Sequence, residues 1–368
     1  MQKKQLLTPF ARPFYMMAKP LGAFCNLACR YCYYLDKQQL YPDKGTRVMG
    51  DEVLELFVRQ YLESQTNQEV LFTWHGGEPL LLPQTFYEKV QRLEQRYAAG
   101  RHIDNCLQTN GTLLTDAWCR FFHDNDWLIG ISIDGPEWLH DSYRKTRSGE
   151  PSWQKVMEGA AMLEKHGVMW NALCTVNSLN AEYPVEVYRF FRDMGCKFLQ
   201  LTPVGGDVTA QQWGRFLCGV FDEWEKEDVG EVYVNIFEAT LANYMDVVPG
   251  ICAMSELCGH VGVVEWNGDV YSCDHFVYPQ HKLGNIRQQT IYEMMYSEQQ
   301  LTFARQKTGA LPHQCLECRW LFTCHGECPR NRTATTAEGE GGLNYLCEGY
   351  RMFFEHTETF MKRMKDEI

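Results

Sequence analysis

The sequence predicts an α/β fold, in the form of an open or partial barrel of parallel strands followed by a smaller cysteine-rich region. Three observations predict it. Short apolar runs alternate six times with helical patterns, glycine- and cysteine-bearing motifs come directly after those runs, and cysteines become dense late in the chain. Strand–helix alternation implies a parallel sheet with right-handed crossovers. Six units fall short of the eight that close a barrel, so a partial (β/α)6 barrel is expected.

The strand candidates are FYMMA (14–18), VLFTW (70–74), IDNCLQ (103–108), LIGISI (128–133), WNALCTV (170–176) and FLQLT (198–202). Between them, residues 51–63, 84–98 and 183–195 have the apolar spacing of amphipathic helices. The segments CNLACRYC, HGGEP, QTNG and SIDGP each follow a strand candidate. Because such folds carry their chemistry at the carboxyl ends of the strands, these segments are expected at one edge.

The character of the chain changes after about residue 245. Helical patterns become short, and GVVEWNGDVYSC (262–273) predicts a hairpin, because Asn267-Gly268 between alternating runs is a strong hairpin signal. We therefore expect a barrel over residues 1–204, a helical connection over 205–245 and a cysteine-rich domain over 246–368.

Charge and cysteine content narrow the functional classes. The net charge of -12 argues against nucleic acid as a partner, and no apolar run is long enough for a membrane span. The beginning of the chain lacks the pattern of a signal peptide, so a cytoplasmic location is expected. Sixteen cysteines are many for that compartment, where thiols stay reduced, and they indicate metal binding or catalysis before disulfides.

Three of these cysteines, Cys25, Cys29 and Cys32, lie in the loop FCNLACRYCYY. Three thiols packed in a loop are one interpretation. A zinc site is another, but it needs a fourth ligand, and the nearest downstream histidine is His75. The third is an iron–sulfur cluster with one iron left open, since such clusters are normally held by four thiolates.

The spacing C-x3-C-x2-C after a first strand, with Tyr31 before the last cysteine and GGEP after the second strand, resembles the radical S-adenosyl-L-methionine (SAM) superfamily. The resemblance implies that Cys25, Cys29 and Cys32 hold a 4Fe-4S cluster whose open iron chelates SAM. One electron then cleaves SAM to methionine and a 5′-deoxyadenosyl radical.

The same resemblance implies a set of residues that bind SAM. Glycines let the backbone approach a ligand closely, and an arginine can bond both oxygens of a carboxylate. His75 stands where some relatives carry glutamine, which leaves a role at that position open. The implied SAM-binding residues are Tyr31, Gly76, Gly77, Glu78, Ser132, Asp134 and Arg144.

Eight further cysteines lie in the last part of the chain. Spacing alone would group Cys315, Cys318, Cys324 and Cys328 in one compact site that could equally bind zinc. However, C-x2-C-x5-C-x3-C followed by a distant cysteine resembles the extension of peptide-modifying radical SAM enzymes, in which two auxiliary 4Fe-4S sites interleave. That resemblance implies one set of Cys252, Cys258, Cys273 and Cys328, and a second set of Cys315, Cys318, Cys324 and Cys347.

The segments QTNGTLL, SIDGP, GDVYSCDHF, LGNI and LNYLC together resemble the anaerobic sulfatase-maturating enzymes over nearly the full length. The resemblance weakens around 202–213, where a loop is expected to be shorter than in some relatives. It implies three 4Fe-4S clusters, SAM, and oxidation of a cysteine or serine to Cα-formylglycine. The implied partners are an unfolded or nascent sulfatase with a C/S-x-P/A-x-R motif and a low-potential electron donor such as flavodoxin or ferredoxin.

Asp274 directly follows Cys273, and the resemblance implies that it is the general base for the substrate side chain. A substrate thiol, with an ordinary pKa of about 8.5, must lose its proton during the oxidation, so the chemistry needs a base. Two other classes stay open. A radical SAM enzyme that makes thioether or cyclic crosslinks would share the cluster ligands, and a zinc-bound binding module would leave the three-cysteine loop with GGEP unexplained.

Overall fold

The computed structural model describes residues 13–40 and 47–367. The chain forms two compact units that alternate along the sequence. The first contains the described residues up to Ile131 together with Arg144–Trp170 and Gly259–Ala304. The second contains Ser132–Tyr143, Asn171–Cys258 and the described residues from Arg305 onward. The domain bounds expected from the sequence stay predictions.

The strands follow the pattern of alternating apolar residues. In chain order they are β1 (Tyr15–Lys19), β2 (Glu69–Trp74), β3 (His102–Thr109), β4 (Leu128–Ser132), β5 (Trp170–Val176), β6 (Phe198–Pro203), β7 (Tyr233–Val234), β8 (Val261–Glu265), β9 (Asp269–Tyr271), β10 (Lys282–Asn285), β11 (Ala334–Thr335) and β12 (Gly341–Leu343). All six strand candidates are confirmed, each to within one residue at either end.

The helices fall between the strands and dominate the later part of the chain. In order they are α1 (Asp51–Ser64), α2 (Gln84–Tyr97), α3 (Asp116–Asp124), α4 (Glu137–Tyr143), α5 (Trp153–Lys165), α6 (Pro184–Asp193), α7 (Ala210–Glu227), α8 (Asn235–Tyr244), α9 (Ile291–Met295), α10 (Glu298–Gly309), α11 (His313–Leu316), α12 (Leu321–Cys324) and α13 (Cys347–Glu367). Among the described residues, no helix is both long and apolar enough to cross a bilayer.

The first unit contains a mixed sheet in the order β10-β9-β8-β1-β2-β3-β4. Strands β8, β1, β2, β3 and β4 run parallel, and β9 and β10 continue antiparallel. The predicted hairpin is confirmed as β8 and β9, which join through Asn267-Gly268. Its first strand pairs with β1, with Met17 opposite Val263. Residues from far along the chain therefore lie beside the first strand.

Aromatic side chains fill the space between this sheet and its helices. Trp74 on β2 makes edge contacts with Phe57 of α1 and Tyr87 of α2, at ring-centroid distances of 5.9 and 6.1 Å. Tyr87 also meets Trp127 at 5.6 Å. All four side chains are buried. Aromatic residues bury large areas, so this cluster fixes the strands whose ends carry the motifs.

The second unit contains the parallel strands β5, β6 and β7 and a long pair of helices, α7 and α13. The two helices approach so closely at Gly214 and Gly349 that a Cβ on Gly349 would lie 2.1 Å from the Ala210 carbonyl oxygen. Phe221 of α7 packs edge-on against Phe353 of α13. This packing fixes the beginning of α13, where Cys347 lies.

Candidate active site and iron–sulfur sites

The GGEP segment lies directly against the loop that leads into the first cysteines. Gly77 donates its N–H to the Gly22 carbonyl at 2.8 Å, and Glu78 donates to the Phe24 carbonyl at 2.9 Å. A Cβ on Gly77 would lie 1.9 Å from the Phe24 carbonyl oxygen, and Gly76 has a φ of +135°. Only glycine allows this approach, so the pair of glycines positions the cysteine loop.

The carboxylate of Glu78 is fully buried beneath this turn. One oxygen accepts hydrogen bonds from Thr109 Oγ1 at 2.8 Å and from the Leu80 N–H at 3.0 Å, and the other accepts from the Asn110 N–H at 2.7 Å. Burial raises the pKa of Glu78 to about 7, although these hydrogen bonds oppose the rise. The Glu78 side chain therefore connects the GGEP segment to the QTNG segment through buried hydrogen bonds.

Asn110 of QTNG connects to the cysteine loop itself. Its Nδ2 donates to Asn26 Oδ1 at 2.8 Å and reaches Cys25 Sγ at 3.7 Å, while the Leu27 N–H donates to the same sulfur at 3.4 Å. Burial raises the pKa of Cys25 to about 11, and these hydrogen bonds from Leu27 and Asn110 oppose the rise. N–H groups directed at Sγ suit a thiolate, the form in which cysteine binds a metal.

Arg144 and Tyr31 meet beside the same loop. The guanidinium carbon lies 5.4 Å from the Tyr31 ring centroid, and Arg144 is buried. The next residues hold the loop, because the Lys145 carbonyl accepts from the Ala28 N–H at 2.8 Å and Arg147 Nε donates to the Cys25 carbonyl at 2.7 Å. The structure therefore brings together Tyr31, Arg144 and the cysteine loop.

Ser132 and Asp134 belong to the second unit. Ser132 ends β4, and Asp134 is fully buried two residues later. Asp134 Oδ1 accepts from the Thr175 N–H at 3.0 Å, and its carbonyl accepts from Asn180 Nδ2 at 3.2 Å. These bonds fix the SIDGP turn at the carboxyl end of its strand, as the sequence predicts.

Asp274 begins a short 3-10 turn immediately after Cys273. Its carboxylate forms an ion pair with Lys19 Nζ and accepts a hydrogen bond from the Tyr33 hydroxyl. Lys19 is fully buried, whereas the Asp274 side chain retains 15% of its exposure. Burial alone would raise the pKa of Asp274, but the Lys19 charge outweighs it and holds the pKa well below its usual range.

The surroundings of Lys19 contain three more polar side chains. Its Nζ lies 3.4 Å from His75 Nδ1 and 3.8 Å from the Tyr34 ring centroid, and the Tyr34 hydroxyl donates to Glu265. Burial and the Lys19 charge lower the pKa of His75 to about 3, so its ring is neutral. Burial raises the pKa of Glu265 to about 7.

Sequence reasoning missed Lys19, Tyr33, Tyr34 and Glu265. One signal could have identified Lys19, because it is a cationic residue directly after the apolar run of β1. Nothing in the sequence indicates that Glu265, at the end of β8, lies near it, since the two strands pair across a long stretch of chain.

Three cysteines of the second unit form one group. Cys252 and Cys258 both influence the Cys328 thiol, whose pKa burial raises to about 12. Cys252 also acts on Cys258, where burial raises the pKa to about 11. That Cys328 shares a ligand set with Cys252 and Cys258, as the resemblance implies, stays a prediction. That Cys273, in the first unit, completes this set stays a prediction.

The remaining four cysteines form another group. Burial raises the pKa of Cys324 to about 12, and Cys347 and Cys315 add to the rise. Burial also raises the pKa of Cys347 to about 11, with contributions from Cys315 and Cys318. Helices α11 and α12 and the start of α13 bring these thiols together.

The donor chemistry fits iron–sulfur clusters, because the proposed ligands are all thiols, half-buried except for the exposed Cys252. Across residues 13–40 and 47–367, no set of three or more His, Cys, Asp or Glu side chains is arranged around a single metal ion. A 4Fe-4S cube holds its thiolates farther apart than a single zinc ion, with Zn–S bonds of about 2.3 Å, would.

Comparison with family models identifies two regions of the chain. Residues 20–191 match the radical SAM superfamily, and residues 257–319 match an iron–sulfur cluster-binding domain. The first match contains the cysteine loop and GGEP, and the second contains Cys273 and Cys315.

Curated relatives match over almost the whole chain. A serine-type anaerobic sulfatase-maturating enzyme of Bacteroides thetaiotaomicron is 53% identical, covering 100% of this chain and 94% of the relative. The chain belongs to the anaerobic sulfatase-maturating enzymes. A serine-type member from Klebsiella aerogenes is 38% identical over 93% of this chain and 84% of its own length. A cysteine-type member from Clostridium perfringens is 32% identical, covering 94% of this chain and 96% of its own length.

A solved structure of this family is also similar. The structure described as native anSMEcpe with bound AdoMet superposes with a TM-score of 0.89 at 31% identity, covering 97% of this chain and 100% of that one. The radical SAM fold expected from the sequence is therefore confirmed, together with its iron–sulfur domain. This sulfatase-maturating enzyme is a SAM-dependent radical oxidoreductase.

Proposed function

We propose that this enzyme oxidises a serine or cysteine side chain in an unfolded or nascent sulfatase to Cα-formylglycine, and that serine is accepted. The observation that carries the proposal is the Asp274 carboxylate, which Lys19 keeps ionised while part of its surface stays accessible. The acceptance of serine is supported by the identity of 53% to a serine-type relative, against 32% to a cysteine-type one. The expected substrate segment has the form C/S-x-P/A-x-R.

The proposed ligands and contacts of the cofactors are the residues that the resemblance implies. Cys25, Cys29 and Cys32 would hold the cluster that binds SAM, and Tyr31, Gly76, Gly77, Ser132, Asp134 and Arg144 would contact SAM. Glu78 would hold the GGEP turn in place from its buried side, because its carboxylate already accepts hydrogen bonds from three donors. Two auxiliary clusters would be held by Cys252, Cys258, Cys273 and Cys328, and by Cys315, Cys318, Cys324 and Cys347. When bound, these groups supply a 5′-deoxyadenosyl radical and take up the electron released by the oxidised substrate.

The protein's own task is to remove the proton of the substrate hydroxyl or thiol. Asp274 is the general base in this proposal, because it is ionised and lies next to Cys273. Lys19 maintains the charge of the carboxylate, and the Tyr33 hydroxyl fixes the direction of its second oxygen. A positioned base of this kind is typically worth about 10²–10⁴ in rate.

The reaction also needs an external electron for each SAM cleavage. We propose a low-potential one-electron donor such as flavodoxin or ferredoxin. A reducing compartment such as the cytoplasm would keep the sixteen cysteines as thiols until the clusters assemble.

The experiment uses anaerobically reconstituted enzyme, SAM, a chemical reductant and three peptides that differ only at the target position of S-x-P-x-R. Mass spectrometry should detect formylglycine from the serine and the cysteine peptide, and no product from the alanine control. A thioether or crosslinked product, or turnover of the cysteine peptide alone, would contradict the proposal.

A further inference from the structure

Lys307 is a fully buried cation beside the cysteines of the second unit. Its Nζ donates to the carbonyls of Cys252 at 2.6 Å and of Ala253 at 2.8 Å. Within the described part of the chain, it forms no ion pair with a carboxylate. Burying an ammonium group is costly unless an anion compensates its charge. The position therefore favours an anionic group close to Cys252.

Arg332 is a second cation in the same region, and it is half-buried. Its guanidinium donates to the carbonyls of His325 at 3.1 Å, Gly326 at 2.9 Å and Glu327 at 3.3 Å. These three residues all have positive φ angles, of 48°, 70° and 54°. They connect Cys324 of one thiol group to Cys328 of the other, so the guanidinium lies against the segment that joins the two groups.

The two cations are themselves connected, because Arg332 Nη1 donates to the Lys307 carbonyl at 2.6 Å. One carboxylate, that of Glu327, lies within electrostatic range of Lys307. Its Oε2 accepts from Asn331 at 2.9 Å and from Asn344 at 2.7 Å, so this oxygen is directed at amides. One carboxylate also cannot balance two cations.

The hydrogen bonds place the two cations differently. The Lys307 ammonium group contacts the Cys252 carbonyl, within the group of Cys252, Cys258 and Cys328. The Arg332 guanidinium contacts residues 325–327, which join Cys324 to Cys328, so it lies beside the segment shared by both groups.

We propose that Lys307 and Arg332 set the reduction potentials of the two auxiliary clusters, Lys307 that of the Cys252 group and Arg332 those of both. A 4Fe-4S cluster with thiolate ligands carries net negative charge, which increases by one on reduction. A nearby cation stabilises the more negative state and so raises the potential. The inference rests on the ligand sets of the proposed function. Beyond the proposed function, it states that these two cations make the auxiliary clusters better electron acceptors.

The test is an EPR-monitored redox titration of the reconstituted holoenzyme, with iron content measured for every variant. Lys307→Met should move the potential of one auxiliary centre to a more negative value and leave the other unchanged. Arg332→Met should move both, each by less than the Lys307 effect, because Arg332 is half-buried. The control is Lys362→Met, which removes the same charge from an exposed position on α13.

Arg332→Lys keeps the charge while losing the bidentate geometry, so it should restore the potentials towards the parent values. Unchanged potentials in Lys307→Met and Arg332→Met, with full iron content, would overturn the proposal. It is also overturned if the neutral and the charged variants lose iron alike, because the residues would then act only in assembly. Failure of the proposed function would appear separately, as a parent enzyme that reduces its clusters normally but makes no formylglycine.

Discussion

The Lys19 ammonium group and the Asp274 carboxylate form an ion pair that joins the end of the first strand to the turn after Cys273. Lys19 is fully buried, while Asp274 keeps a small exposed area. A general base must be ionised and must also be reachable by its substrate. This pair provides both conditions, because the charge that ionises Asp274 lies on its buried side.

Replacing Lys19 with methionine should leave Asp274 without its counter-charge. The pKa of Asp274 should then rise, because burial would no longer be opposed by the ammonium group. We expect the acidic limb of the pH–rate profile for formylglycine formation to move to higher pH. We also expect the protein to be destabilised by up to about 3–5 kcal/mol, the usual cost of breaking a buried pair. The measurements are the pH profile and the urea unfolding midpoint.

The double variant Lys19→Met/Asp274→Asn separates pairing from packing. If the cost comes from an unpaired buried carboxylate, the double variant should be more stable than Lys19→Met alone. If the double variant and Lys19→Met were equally unstable, Lys19 would stabilise the protein through its packing. If the pH profile of Lys19→Met were the same as that of the parent, Lys19 would not set the pKa of Asp274.

Asp274→Asn keeps the shape of the side chain but cannot accept a proton. We expect this variant to retain all its iron and to cleave SAM to 5′-deoxyadenosine, since these steps do not need the base. Formylglycine should fall by about 10²–10⁴. The quantity to measure is the ratio of formylglycine to 5′-deoxyadenosine. If Asp274→Asn formed formylglycine at the parent rate, Asp274 would not be the general base and would only form the turn beside Cys273.

The sequence was sufficient for the parts of the site that are local. The three-cysteine loop, GGEP and the six strands are encoded within short windows, and the structure confirms the strands and the hairpin at Asn267-Gly268. The Gly77 contact with Phe24 explains why the motif needs its glycine. The cysteine loop, the strands and the hairpin each depend on neighbours within one motif or on the regular alternation of strands.

The parts of the site that the sequence did not predict depend on contacts between positions far apart in the chain. Strand β8 pairs with β1, which brings Glu265 and Asp274 to Lys19, and no periodicity in the sequence indicates that pairing. The proposed association of Cys328 with Cys252 would have the same origin. Spacing alone favoured a compact site with Cys315, and only the resemblance indicated otherwise.

Replacing Cys25, Cys29 and Cys32 with alanine should remove about four irons per chain, since each cube holds four. SAM cleavage should be abolished, because the iron that would bind SAM is lost. Iron and sulfide analysis of the anaerobically reconstituted protein measures the first effect. An unchanged iron content would contradict the cluster at this loop, and the matched replacement of the buried Cys119 with alanine should change neither quantity.

Gly77→Ala should disrupt the same cluster without removing a ligand. The new Cβ would lie 1.9 Å from the Phe24 carbonyl oxygen, so the cysteine loop or the GGEP turn must move. We expect weaker SAM binding and slower cleavage, with the auxiliary clusters retained. Gly50→Ala is the control, because its Cβ would meet no atom within 4 Å and its φ is -72°. Normal SAM binding by Gly77→Ala would show that the turn can relax.

Glu94 on α2 provides a test of the fold that is independent of the clusters. Its Oε2 accepts from Asn105 Nδ2 at 2.9 Å, and burial raises its pKa from 4.5 to about 7. Between these values the folded protein binds a proton that the unfolded chain has released. The free energy of unfolding therefore falls as pH rises through this window, and the penalty is complete above pH 7.

Glu94→Gln keeps an acceptor for Asn105 and removes the ionisable group. The variant should gain stability relative to the parent as pH rises, by an amount on the order of 1–3 kcal/mol between acidic and mildly alkaline conditions. Urea unfolding of the holoprotein at several pH values measures the difference. Glu63→Gln, at an exposed position of α1, should show no such trend. If the difference between Glu94→Gln and the parent stayed constant with pH, Glu94 would not carry the elevated pKa that its burial implies.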